Sequence, residues 1–294
     1  MAVDEIERVR DFNRYYTQRL GILTDRYLGQ DRPLGQARLL FEIGAGCDVR
    51  ELRERLGLDS GYLSRLLRAL ADQRLVTVRA HPGDGRVRIA ELTDAGQAER
   101  AELERRSRAG IAELLGALTD GQRAQLLDAQ GRIRRLLRSA AVTIEQAAAG
   151  DATVQDCLQR YAAELANRFP EGYDPATLTP PDRVDGTVLL AREDGRAAGC
   201  GLWVHLAAGA AEIRHLWIAE PARGLGLGRR LLSALEADAA AHGIGTVRLG
   251  THSALTEAIG LYRAAGYTPI DDYSGSVYNQ LAFEKRLNRP PRSR

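Results

Sequence analysis

Arg223-Gly224-Leu225-Gly226-Leu227-Gly228 sets three glycines at alternate positions between an apolar run and a helical pattern. Glycines so spaced let successive backbone N–H groups point into one concavity, and a helix N-terminus behind them adds partial positive charge. That is chemistry for holding phosphate, and Arg223, Arg229 and Arg230 bring guanidinium charge to the same corner. The elements that must position the loop are legible on both sides of it. Ile213 to Ala219, with Trp217 and Ile218, reads as a largely buried strand, whereas Leu227, Leu231, Leu232 and Leu235 fall on one helical face. No Gly-Lys-Ser/Thr ending and no GxGxxG spacing is present, which excludes a Walker loop and a dinucleotide fingerprint.

The strand, glycine turn and helix together resemble the acyl-CoA loop of the GNAT acetyltransferases, Gln/Arg-x-x-Gly-x-Gly/Ala, with Arg223, Gly226 and Gly228 in the matching positions. A second stretch, Ala258 to Tyr267, resembles that family's signature A-x-x-L-Y-x-x-x-G-F/Y through Leu261, Tyr262, Gly266 and Tyr267. One departure is Leu255, where the family often has an asparagine, so no asparagine contact to the pantetheine arm carries over. The resemblance implies transfer of an acyl group from acetyl-CoA to an amine. Leu216, Trp217, Ile218, Arg223, Gly224, Leu225, Gly226, Leu227, Gly228 and Arg229 would hold the co-substrate, and Tyr262 would protonate the departing thiolate. Glu212 and His215, on the strand, are the candidates for the general base. Alternation puts these two on opposite faces of a regular strand, so at most one faces the site unless a bulge intervenes.

In this fold the acceptor lies against the first helix, the loop after it and the loop before the last strand. Those regions offer Glu164, Arg168, Tyr173, Tyr273 and Tyr278. Arg168 either grips a substrate carboxylate with its fork or pairs with Glu164 four residues earlier. A small amine or amino acid is preferred to a protein as acceptor.

The first half carries a different pattern. Asp48 to Gly57 reads as a short helix closed by glycine, and Ser60 to Val76 as a second whose buried stripe is Leu63, Leu66, Leu67 and Leu70. Two helices around a tight turn, the second with a polar and basic outer face, form a helix-turn-helix signature. Ser60, Tyr62, Ser64, Arg65 and Arg68 are its candidate DNA contacts. Leu75–Arg79 and Arg86–Leu92 then read as a hairpin that offers Arg79, Arg86 and Arg88 to phosphate or the minor groove. With the Asp84-x-Arg86 turn, Leu92-Thr93-x-x-Gly96 and two further helices, residues 1–140 resemble a MarR-type winged helix-turn-helix regulator. That resemblance implies a homodimer on a pseudo-palindromic operator, its first helix, residues 4–28, serving dimerisation.

Length agrees with two domains: 294 residues at 44% hydrophobic content support two cores. The expected architecture is therefore multi-domain. An α-rich winged helix-turn-helix domain spans 1–140, and an α/β GNAT domain with a mixed, mostly antiparallel sheet spans 141–294. The first half is slightly basic and the second slightly acidic, and Lys285 is the only lysine. No apolar run is long enough to cross a membrane, and the N-terminus lacks a signal-peptide pattern. Cys47, Cys157 and Cys200 are sparse, far apart and without metal spacing, which fits a reducing cytoplasm. The reading is an acetyl-CoA-dependent N-acetyltransferase fused to a DNA-binding regulator. Its alternatives are a regulator whose second domain senses CoA or an amine without turnover, and an enzyme whose winged helix only dimerises.

Overall fold

The computed structural model describes residues 3–19, 32–81 and 83–287. These form two compact units, Met1–Leu126 and Leu127–Arg294. The division falls inside a helix rather than near Ser139-Ala140, where the helical pattern ends. Among the described residues no helix is long and apolar enough to cross a membrane.

In the first unit α1 spans Val3–Arg19, and the expected continuation to residue 28 lies outside the described residues. There follow α2 (Leu34–Ile43), β1 (Cys47–Asp48), α3 (Val49–Leu56) and α4 (Ser60–Asp72). A hairpin of β2 (Val76–His81) and β3 (Asp84–Leu92) leads into α5 (Asp94–Gly116) and then α6 (Asp120–Ala141), the helix within which the first unit ends. Local chemistry fixes these boundaries. The Asp59 carboxylate accepts from the Tyr62 N–H at 2.8 Å and starts α4, while Gly57, at φ 62°, closes α3. Leu63, Leu66, Leu67 and Leu70 are buried with Leu39, Leu40, Ile43, Leu52 and Leu103, each worth about 1.5–3 kcal/mol of burial. The helix stops at Asp72, so Val76 belongs to the wing and not to the helix.

The second unit is a seven-stranded sheet in the order β4-β5-β6-β7-β8-β10-β9. Its strands are β4 (Val142–Ala147), β5 (Thr187–Glu193), β6 (Arg196–Ala207), β7 (Ala210–Ile218), β8 (Thr246–Thr251), β9 (Thr268–Ile270) and β10 (Leu281–Arg286). All neighbours are antiparallel except β7 and β8, whose parallel pairing runs only from Ala210↔Thr246 to Glu212↔Arg248. Helix α7 (Ala152–Arg168) packs on one face and α8 (Leu227–Ala241) and α9 (Thr256–Ala264) on the other. Alternation on β5 and β6 assigns the faces. Val188, Leu190, Leu202 and Val204 join Leu158 of α7, whereas Leu189 and Trp203 join Leu231 and Leu235 of α8.

One strand breaks this rule. On β7, Ile213 packs on the α8 side and Trp217 on the α7 side, although they are an even number of residues apart. The register shifts between Cys200↔Trp217 and Leu202↔Arg214, so His215 and Leu216 both fall opposite Gly201. His215 carries the extra turn at φ 53°. A Cβ on Gly201 would come within 2.9 Å of Leu235 Cδ1 and 3.3 Å of Leu216 Cδ1, so the bulge needs glycine across from it.

The first unit has a similar close approach. A Cβ on Gly96 would lie 2.0 Å from the Leu75 carbonyl oxygen, whereas one on Gly110, in the same helix, would meet nothing. Gly96→Ala should destabilise the first unit by about 1–3 kcal/mol or more. Gly110→Ala should stabilise it by about 0.5–1 kcal/mol. Urea melts of both variants check the pair, and equal behaviour would contradict the packing described.

Candidate active site

Past Glu212 and Arg248 no pairing joins β7 to β8, and two cavities open where the strands part. The larger, about 460 Å³, lies beside the glycine loop. The smaller, about 230 Å³, lies toward α7 and the loop before β10. Tyr161, Leu165, Leu216, Leu255, Ala258 and Tyr262 line both, so the two meet at this ring of residues.

Nine of the ten residues assigned to the co-substrate line the larger cavity: Leu216, Trp217, Ile218, Arg223, Gly224, Gly226, Leu227, Gly228 and Arg229. Leu225 does not; its side chain is buried with Ala222 and Leu227 and anchors the loop from within. Gly224 and Gly226 take φ of 76° and 72°, a conformation that a Cβ would strain. No side chain caps the start of α8, so its first N–H groups remain available to an anion.

The three arginines of this corner are not equivalent. Arg223 donates to the Ile218 carbonyl at 3.0 Å and to Glu164. Arg230 donates to the Ser139 and Val142 carbonyls. Arg229 is exposed and has no ion-pair partner among the described residues, leaving its guanidinium open to phosphate. An uncapped helix start, two left-handed glycines and one open cation fit a pyrophosphate.

Two residues expected at the acceptor belong elsewhere. Glu164 and Arg168 line the larger cavity, not the smaller. Glu164 accepts from Trp217 Nε1 at 2.9 Å as well as from Arg223, and these donors hold its carboxyl below the usual range against the cost of burial. Arg168 pairs with Glu257 at 2.8 Å, donates to the Ala254 carbonyl at 3.1 Å and reaches Glu164 only at 3.5 Å. The spacing of four between Glu164 and Arg168 was readable; the better partner, 89 residues away, was not.

The bulge brings Glu212 and His215 to one cavity wall. Glu212 is 3% exposed; its Oε2 accepts from Arg214 at 2.7 Å and its Oε1 from the Tyr273 hydroxyl at 3.0 Å. Tyr273 therefore acts by holding this carboxylate and does not itself line the cavity. His215 Nε2 accepts from the Thr179 N–H at 3.0 Å, so the ring is neutral with its proton on Nδ1. Burial and the Arg214 guanidinium pull its pKa down to about 4. With no lone pair left over, His215 is not free to take a proton from a substrate. Glu212 keeps a spare lone pair on Oε1, which accepts only from Tyr273.

Tyr262 stands where the cavities meet, 6% exposed, its hydroxyl without a protein partner among the described residues. Burial pushes its pKa up to about 12, so the phenol stays protonated and able to donate. Tyr173 and Tyr278 line the smaller cavity, the Tyr278 hydroxyl accepting from the Asp174 N–H at 3.0 Å. Tyr161, Phe169, Arg214 and His252 line it too and were missed, because Tyr161 and Phe169 read as the apolar stripe of α7. The spacing Glu212-x-Arg214 on one strand was the overlooked signal.

In the first unit, Ser60, Ser64, Arg68 and Arg88 line a groove of about 530 Å³ with Arg50 and Arg53, between α3, α4 and the hairpin. Tyr62 is exposed with the Arg65 guanidinium 5.8 Å from its ring. Arg68, Arg86 and Arg88 have no ion-pair partner among the described residues. Arg79 does: it pairs with Glu91 across the hairpin at 2.6 Å and stays exposed.

Residues 154–267 match the family model described as acetyltransferase (GNAT) family, and residues 30–87 match that of the MarR family. An IAA acetyltransferase of Azospirillum brasilense is 33% identical over 147 residues, covering 47% of this chain and 92% of that protein. Among solved structures, an acetyltransferase of the GNAT family from Staphylococcus aureus is similar over 50% of this chain and 100% of its own, at 15% identity and a TM-score of 0.44. A mutant MarR of E. coli complexed with operator DNA is similar over 44% of this chain and 95% of its own, at 23% identity and a TM-score of 0.38.

The tautomer of His215 has a measurable consequence. The native ring protonates near pH 4 and an exposed one near 6.5, so between these values the unfolded chain holds more protons. Stability from the neutral ring is complete above the upper value and is lost as pH falls toward the lower. Between about pH 7 and about pH 5 the loss should be on the order of 1 kcal/mol, and His215→Gln should remove that part of the slope. Urea melts of wild type and variant at both pH values test it; parallel slopes would refute the assignment.

Proposed function

We propose a function from the premise that the chain belongs to the GNAT acetyltransferase family through its second half and to the MarR family through its first. The second unit is an acetyltransferase, and GNAT enzymes use acetyl-CoA. In our reading this chain transfers the acetyl group from acetyl-CoA to a primary amine. The observation that carries the reading is Tyr262, a buried and protonated phenol with an unpartnered hydroxyl at the meeting of two cavities.

The N–H groups of Leu227 to Arg229, with the Arg229 guanidinium, hold the pyrophosphate in the larger cavity. The amine sits in the smaller cavity, and Glu212 takes its proton through a water. Nitrogen then attacks the thioester carbon, a C–N bond forms and the C–S bond breaks. Tyr262 gives its proton to the sulfur and recovers one from solvent, while the second proton leaving the nitrogen passes to solvent, so the products are an amide and free CoA.

The first unit is read as an operator-binding module acting as a homodimer. Supporting this are the groove lined by Arg50, Arg53, Arg68 and Arg88 and the apolar side chains left exposed on α1, Val9 at 60% and Tyr15 at 64%. Faces of this kind rarely remain uncovered on a monomer.

Two predictions follow from these roles. Tyr262→Phe should lower kcat by about 100-fold or more with acetyl-CoA affinity unchanged. CoA release with pooled amines, beside calorimetric acetyl-CoA titration, reads both quantities. Unchanged kcat would remove Tyr262 as the acid, and acetyl-CoA binding without turnover on any amine would favour a ligand-sensing regulator. For the first unit, the logarithm of DNA affinity should fall linearly with the logarithm of salt concentration. Arg68→Ala should make that slope shallower by about 2, one for each protomer's contact. A slope unaltered in the variant would take Arg68 off the DNA.

A further inference from the structure

The smaller cavity has a composition that narrows the acceptor. A chain with only 4 Phe, 2 Trp and 10 Tyr sets Tyr161, Phe169, Tyr173, Tyr262 and Tyr278 around it. Two histidine rings complete the wall, and the contacts are continuous. His215 meets Tyr161 at 5.7 Å, Tyr161 meets Tyr173 at 6.3 Å, and Tyr173 meets Tyr278 at 4.8 Å. Phe169 stacks on Tyr278 at 5.9 Å and on His252 at 4.0 Å. His252 is itself fixed: its Nδ1 accepts from the Ala254 N–H at 3.0 Å, so its Nε2–H donates to Glu171 at 2.9 Å. Rings drawn from α7 and its end, α9, the β7 bulge, the end of β8 and two loops would close on one another in an ordinary core, since interiors keep few voids. Here they leave about 230 Å³ open.

Among the charged Asp, Glu, Lys and Arg side chains, this cavity is lined by one pair, Glu212 and Arg214. The pair is neutral as a whole. Glu212 gives Oε2 to Arg214 and Oε1 to Tyr273, and Oε1 keeps a lone pair. Arg214 spends Nε and Nη2 on Glu212, and its Nη1 reaches Thr179 Oγ1 only at 3.4 Å. Its side chain is 41% exposed, so Nη1 has donors to spare. A carboxylate and a guanidinium side by side complement an ammonium and a carboxylate borne on one carbon. A second cation in the ligand, as in lysine or a polyamine, would find no second anion on this wall, and an acidic side chain would find no second cation.

Resting on the transferase reading above, we infer that the acceptor is an aromatic α-amino acid. Phe169, Tyr173 and Tyr278 take its ring, Arg214 its carboxylate, and Glu212 its ammonium. Arg214 and Phe169 are then the specificity-determining residues, the first for the carboxylate by its fork geometry, the second for the ring by stacking.

Titration of the full chain, saturated with CoA, with L-phenylalanine, phenethylamine, L-leucine and L-lysine tests this without needing turnover. L-phenylalanine should bind at least tenfold more tightly than each of the other three. Arg214→Gln should abolish its advantage over phenethylamine, and Phe169→Leu should narrow its advantage over L-leucine. L-leucine, L-lysine or phenethylamine binding as tightly as L-phenylalanine would overturn the inference while the transferase reading stood. Advantages untouched by both variants would overturn the roles given to Arg214 and Phe169. Failure of CoA itself to bind would bring down the transferase reading, and the inference with it.

Discussion

The extra residue in β7 at His215 is the constraint on which the second unit's site depends. A regular strand from Ala210 to Ile218 would send Glu212 and His215 to opposite faces and Ile213 and Trp217 to the same one. The bulge reverses both relations. Leu216 and Ile218 then face α8 and the glycine loop, Trp217 reaches Glu164, and Glu212, Arg214 and His215 line one cavity. The cost is a positive φ at a non-glycine residue, which persists only where its surroundings over-determine it. Two things do so here: Gly201, which leaves room for Leu216, and the Thr179 N–H, which fixes the His215 ring. His215 thus serves the geometry of the site by staying neutral.

Charge in this unit follows a simple rule of pairing. Glu212 is buried and would be costly alone, so Arg214 and Tyr273 satisfy it. Glu164 plays the corresponding part in the larger cavity, where it collects Trp217, Arg223 and, at longer range, Arg168. A chain whose basic residues are nearly all arginine can build such networks because each guanidinium has five donors in a fixed fork. What remains unpaired is informative by contrast. Arg229 at the start of α8, and Arg68, Arg86 and Arg88 in the first unit, are among the arginines with no ion-pair partner among the described residues.

Legibility in the sequence tracked the range of the interaction. The glycine loop, the helix-turn-helix and Tyr262 lie in contiguous stretches, and there the expected elements formed with boundary shifts of a few residues. Caps such as Asp59 and Thr93 are equally local. The mixed, mostly antiparallel sheet was what the GNAT resemblance implied, and the seven strands form it. Roles set by distant partners were not. Arg79 appeared free until Glu91 was found opposite it, and Arg168 appeared tied to Glu164 until Glu257 was found closer. The bulge could be named only as a condition, because periodicity tells where a strand lies but not where it slips. Phe169 and Tyr161 looked like core for a sound reason: they are packed against rings on one side, and only the fold reveals the void on the other.

The glycine loop also needs more than its own residues to keep its shape, since two left-handed glycines make it easy to deform. Its flanks are held from outside. Arg138, near the end of α6, donates to the Pro221 carbonyl at 2.8 Å, just ahead of the loop, and pairs with Glu193 at the β5–β6 turn. Arg230, just behind it, donates to the Ser139 and Val142 carbonyls at the passage from α6 to β4. Both ends of the loop are therefore referenced to the same few residues, 138 to 142, while Leu225 pins its middle into the core. A phosphate arriving at Arg229 meets N–H groups whose positions are already set, so little ordering entropy is left to oppose its binding.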